Sequence, residues 1–193
     1  MIPPSLAFFV FVGLFSPGPN VILLTASGAR FGFRATVPHI LGVAIGVAIT
    51  AGLTGLGLGA AIMAVPMLTV VLKGVAMVWI LYLAYSLYRT TRAPRAQSAQ
   101  RPFTFVQAVL FQWVNPKVWA VALAASSFVA DQGPVGAGLA LAFVFSSINL
   151  AVCLFWTSAG HLLGRLLADE ALWRAFMTVM SGAMALSAVL VLL

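Results

Sequence analysis

Two lysines lie where charge is expensive: Lys73 and Lys117, each inside a long apolar run. Lys117 follows an Asn115-Pro116 step, and a second interruption, Ser16-Pro17-Gly18-Pro19-Asn20, breaks the first apolar run. Proline inside a helix removes a backbone hydrogen bond and clashes with the turn before it, costing about 3 kcal/mol. Hydrocarbon tolerates such a break only where the freed backbone groups meet protein or a wet cavity. The chemistry this allows is binding, not bond-making. A helix restarting after Pro19 or Pro116 presents free N–H groups and about half a positive charge. Proline suits the first helical turn and asparagine suits a cap. Two such N-termini near the membrane centre, with the Lys117 ammonium beside them, would hold a small anion, and a carboxylate is the obvious one. The alternative is that the prolines only kink their helices and Lys117 snorkels to the inner face.

Other polar residues admit more than one role. Lys73 is about two turns into its span, so it either reaches the interface or lines a pathway. Ser146, Asn149 and Cys153 share a helical face by their i, i+3, i+7 spacing. Asn149 is a candidate substrate contact, although hydrogen bonding between helices is the role favoured by its mid-span position. Trp79 and Trp119 are candidate cavity walls. His39 and His161 lie near span ends and read as interfacial.

These residues need a membrane frame to place them. Of 193 residues, 63% are hydrophobic and 7% are charged, against about 25% charged in soluble domains. The chain is therefore an integral membrane protein, all-α, in the lipid bilayer. The net charge of +7 comes from scattered arginines and does not indicate nucleic acid. One cysteine excludes an internal disulfide and cysteine-pair redox chemistry. There is no Walker loop, hydrolase motif or metal-ligand cluster, so neither an enzyme nor a cofactor is expected. The acidic residues are Asp131, Asp169 and Glu170, none well inside a span.

Six apolar spans are expected, over residues 2–27, 38–63, 66–88, 103–130, 135–160 and 173–193, each near the 20 residues needed to cross. The first is read as a retained span, because it lacks the basic start of a signal peptide. Residues 89–102 form the one long polar stretch and divide a single transmembrane domain into halves, 1–88 and 103–193. Lys and Arg occupy the loops after spans one, three and five, which places those loops inside and both termini outside. Three spans per half invert the halves relative to each other, and a proline-broken span opens each. That is the pattern of a 3+3 inverted repeat with a central site. Small residues four apart in span two, from Gly42 to Gly59, serve internal packing or a homodimer.

The chain resembles the lysine-exporter (LysE/RhtB) family of bacterial amino-acid exporters over nearly its whole length. The specific matches are SPGPNVILL, then GARFGFRA and HILGVAIG, and NPK at residues 115–117. A weaker match, LKGVAMVWILYLAYSLYR, contains Lys73, with Trp79 where the family usually has Tyr. SAGHLL at 158–163, PGPN and FQWVN resemble the cysteine/O-acetylserine branch. The resemblance implies proton-driven efflux across a bacterial inner membrane. Many members carry an acidic residue at the place occupied here by Val47. Its absence disfavours carboxylate coupling and points to small neutral amino acids as cargo. The expected contacts are residues 16–20 (Ser16, Pro17, Gly18, Pro19, Asn20), Asn115, Pro116, Lys117 and Asn149. A passive channel and a non-transporting scaffold are the readings from other classes.

Overall fold

A computed structural model describes residues 2–89, 101–167 and 169–190. Among these residues the chain is all helix, without strands. Helix α1 (Pro4–Phe15) stops because Pro17 forces the residue before it into extended backbone; Ser16 has φ −61° and ψ 145°. Gly18 is also extended, and α2 (Pro19–Phe31) restarts with proline at its first position, bent 60° from α1. Gly32, at φ 84°, ends α2 in a conformation that disfavours side chains.

Helix α3 (Phe33–Gly55) follows at once, starting five residues earlier than expected, with Pro38 inside it. A proline this near a helix start forgoes only one early hydrogen bond. Then come α4 (Leu58–Met63), α5 (Pro66–Arg89), α6 (Phe105–Trp113) and α7 (Pro116–Ser126). A reciprocal Thr104–Gln107 capping box opens α6. A 3-10 turn (Ser127–Gln132) leads into α8 (Gly133–Leu166), which at roughly 50 Å is longer than the hydrocarbon core is thick. The polar loop expected from residue 161 therefore starts later; His161 and Arg165 belong to α8. Helix α9 (Glu170–Leu190) ends the described chain. The expected linker lies mostly at residues 90–100, outside the described residues.

By length and apolarity, four helical stretches can cross a membrane, or five with the bent α1/α2 pair as one. One of the four, Pro116–Leu166, takes in both α7 and α8. Close contacts give the helix directions. Gly42 of α3 faces Phe105 and Ala108 of α6, and Gly46 faces Val109 and Gln112, so α3 and α6 run in parallel. Gly52 faces Ala142 of α8, and Gly55 faces Ala137 and Gly138, so α3 and α8 are antiparallel. Helices α6 and α8 thus run oppositely, and the chain reverses between them.

Two apolar cores result. One joins α1, α3, α7 and α8 around Leu6, Val10, Val43, Val47, Leu141 and Phe145. The other joins α5 and α9 around Ile80, Leu83, Met177 and Met184, reached from α2 by Ile22, Ala26 and Ala29. Gly42, Gly46, Gly52, Gly55 and Gly59 of span two all pack against other parts of the chain, while Gly57 faces open space. A Cβ on Gly46 would lie 2.6 Å from Gln112 Cγ, and one on Gly55 2.6 Å from Gly138 N. The homodimer reading loses that support.

Candidate functional site

The two helix breaks meet. Lys117, the second residue of α7, sends its side chain across to the end of α1. Its Nζ donates to the Ser16 backbone carbonyl and to Ser16 Oγ, the latter at 2.9 Å. Ser16 Oγ donates in turn to Gly13 O at 3.0 Å. Gly18 makes the crossing possible: a Cβ there would lie 2.9 Å from Lys117 Cδ and 3.1 Å from Nζ. The carbonyl of Ser16 is available because Pro17, Gly18 and Pro19 interrupt the helix that would otherwise consume it.

A second link lies one turn away. Asn20 Nδ2 donates to Gln112 Oε1 at 2.8 Å, and Gln112 Nε2 donates back to Asn20 Oδ1 at 3.2 Å. Gln112 Nε2 also reaches Ala108 O at 2.9 Å, and Asn115 Nδ2 reaches Gln112 Oε1 at 3.5 Å. Both asparagines were expected to suit helix caps. Neither does so with its side chain: α2 is capped by Gly18, and Asn115 caps α7 without a side-chain bond. Each is drawn to the Gln112 amide instead. Gln112, fully buried, was not among the expected site residues. Its signal was an amide near the end of an apolar helix, three residues before Asn115 and so on the same face.

Around these links is a hollow of about 20 Å³, bordered by Gly18, Asn20, Asn115, Lys117, Asn149 and Cys153 among others. That is about one water's worth of space. Asn115 Oδ1 and Asn149 Nδ2 are buried here without a hydrogen-bond partner among the described residues. A buried amide left unpaired costs about 1–3 kcal/mol, so the hollow has an acceptor and a donor to offer a ligand. No Asp or Glu borders it. Val47, where relatives of the resembled family often carry an acid, is packed in the first core.

Two larger cavities flank the breaks. One of about 420 Å³ is bordered by Pro17, Gly18, Pro19, Asn115, Pro116 and Lys117, and also by Lys73 and Trp119. The other, about 1030 Å³, extends along α5 past Trp79 and Tyr82 to Arg30 and Arg101. Val114, just before the second break, borders both. Trp119 is fixed by its Nε1–H to Trp113 O at 3.1 Å. Trp79 is a wall of the larger cavity, away from the breaks. Ser146 borders none of the three spaces; its hydroxyl donates to Phe143 O in its own helix. It shares a face with Asn149 but sits about one turn earlier in α8. His39 is buried within the protein, packs on Phe103 at 5.1 Å, and borders the larger cavity.

Apolar helices wrapped round a polar double break define a multi-pass membrane protein with a built interior site. The chain belongs to the LysE type translocators, whose family model matches residues 11–193. It is similar to the cysteine/O-acetylserine efflux proteins of Salmonella typhimurium, 28% identical over 164 residues, and Klebsiella pneumoniae, 27% identical over 161. These alignments cover 81–82% of this chain and 81% of each relative. No solved structure matches the chain.

Proposed function

We propose that this chain is a secondary exporter of small neutral amino acids or their derivatives, driven by the proton gradient across a bacterial inner membrane. The observation that carries the reading is the junction of the two breaks, with Lys117 of one bonded to Ser16 of the other. A scaffold has no need of two interrupted helices whose polar groups face each other. The cargo class follows the relatives, which are named for efflux of cysteine and O-acetylserine.

The cargo carboxylate lies against the start of α7, with Lys117 and Asn149 as donors. Its ammonium lies against the carbonyls of residues 16–19. Lys73 and Trp119 line the way to one side, and Trp79 lines it to the other. The helix directions support six spans as a 3+3 inverted repeat. Thr25 and Ala29 of α2 face Gly160 and Gly164 of α8, so those two helices are parallel. Since α3 opposes α8 and parallels α6, the two broken spans run in opposite senses. With basic loops inside, the larger cavity faces the cytoplasm, the smaller faces outward, and both termini are outside. The breaks and Val114 are then the barrier that alternating access must move past.

The test is efflux from proteoliposomes loaded with cysteine, O-acetylserine, leucine or lysine, at two pH gradients. Saturable efflux of the small neutral cargoes that rises with the gradient is expected. Flux without saturation and without gradient dependence would identify a passive channel, and no flux a scaffold.

A further inference from the structure

The Lys117 contact has a consequence for which molecules the site accepts. A carbonyl oxygen and a hydroxyl, side by side at the end of an interrupted helix, form an ammonium site. In this structure the ammonium filling it belongs to the protein. We propose that Lys117 is a tethered stand-in for the cargo's own amine, and that cargo binds by displacing it from Ser16. This rests on the exporter reading for the identity of the cargo, but its geometry stands on the Lys117–Ser16 contact alone.

The exchange predicts a preference for amino acids over plain amines. A tethered group competes at an effective concentration on the order of millimolar, so a free amine must outcompete it. Once displaced, the Lys117 ammonium has no counter-charge, because the cavity lining has no Asp or Glu. An unpaired charge in such surroundings is costly. A zwitterion brings the remedy: its ammonium takes Ser16 and its carboxylate takes Lys117. A simple amine brings only the first half. Asn149 Nδ2, buried and unpartnered at the edge of the same hollow, is a second donor for that carboxylate. Gly18 permits the resting contact, because the lysine stem lies directly over it. Its extended backbone, φ −170°, accepts any side chain without strain.

The test uses ethanolamine, an amine without a carboxylate, and measures its binding to the purified full chain by calorimetry. Two variants remove the stand-in by different routes. Lys117→Met deletes the ammonium and keeps the stem. Gly18→Ala keeps the ammonium and pushes the stem aside. Both are expected to bind ethanolamine at least about tenfold more tightly than the unaltered protein, and neither is expected to gain affinity for propan-1-ol. Unchanged ethanolamine affinity in the two well-folded variants would overturn the exchange and leave Lys117 a carboxylate anchor only. An equal gain for propan-1-ol would also overturn it, since space alone would then explain the effect. The readout needs no transport. A failed efflux panel with a tenfold gain for ethanolamine would refute the exporter reading and leave the exchange standing.

Discussion

The glycine contacts of α8 and the α5/α9 pair are built in opposite ways. Along α8, backbone meets backbone. A Cβ on Gly160 would overlap the Thr25 carbonyl, one on Gly164 the Ala29 carbonyl, and one on Gly28 the Thr157 carbonyl. Small residues allow this approach, and it fixes one register. Between α5 and α9 the contact is made by Ile80, Leu83, Leu87, Trp173, Met177 and Met184. Methionine is unbranched and adapts to altered packing. The glycines of this pair, Gly74 and Gly182, face open space. Both larger cavities border α5, and the smaller also borders α9 at Ser187 and Leu190. Movement is therefore expected in the pair, against a seam that cannot slide.

Leucine scanning of glycines breaks this contrast most sharply. Gly160→Leu forces side-chain atoms into the backbone of α2, where overpacking above about 3 kcal/mol is expected. It should not yield a monodisperse protein on gel filtration. Gly182→Leu should elute and melt as the unaltered protein does, within about 0.5 kcal/mol. Equal damage from both would erase the distinction.

Gln112→Leu has the next largest effect. It strands the Asn20 and Asn115 amides, and about 2–3 kcal/mol of destabilisation is expected in thermal unfolding. Gly74→Leu sharpens the contrast from the other side. It should fold normally while narrowing the larger cavity that Gly74 borders, and slow efflux several-fold. A fast, normally folded Gly74→Leu protein would show that this cavity is not on the cargo's path. The smallest effect belongs to Ser181→Ala, which removes the bond from Ser181 Oγ to Ala84 O between α9 and α5. Interhelical bonds in membranes average about 0.6 kcal/mol, so the melting shift should be slight.

What could be read in the sequence follows from how strongly each residue constrains its neighbours. Pro17, Gly18, Pro19 and Pro116 each forbid something local, so both breaks stood out, and Lys117 stood out by its charge. That the breaks touch was an expectation from inverted spans; the Lys117–Ser16 bond is a tertiary fact that spacing alone does not contain. Gln112 was missed because an amide in an apolar helix has many possible partners until its neighbour across the bundle is known. Pro38 misled the start of α3, since proline is read as a boundary but here lies inside the helix, as its sixth residue. The end of α8 was misplaced because His161 and Arg165 look like loop residues, while Gly160 and Gly164 are needed against α2. Ser146 shares the face of Asn149 by periodicity, but a face does not specify depth.

The central claim is that cargo is held where the two broken helices join. It is tested most directly by the rate of gradient-driven O-acetylserine efflux from proteoliposomes containing Lys117→Ala, compared with unaltered protein. The variant is expected to melt close to the unaltered protein and to lose efflux. A well-folded Lys117→Ala protein that exports at the unaltered rate would contradict it.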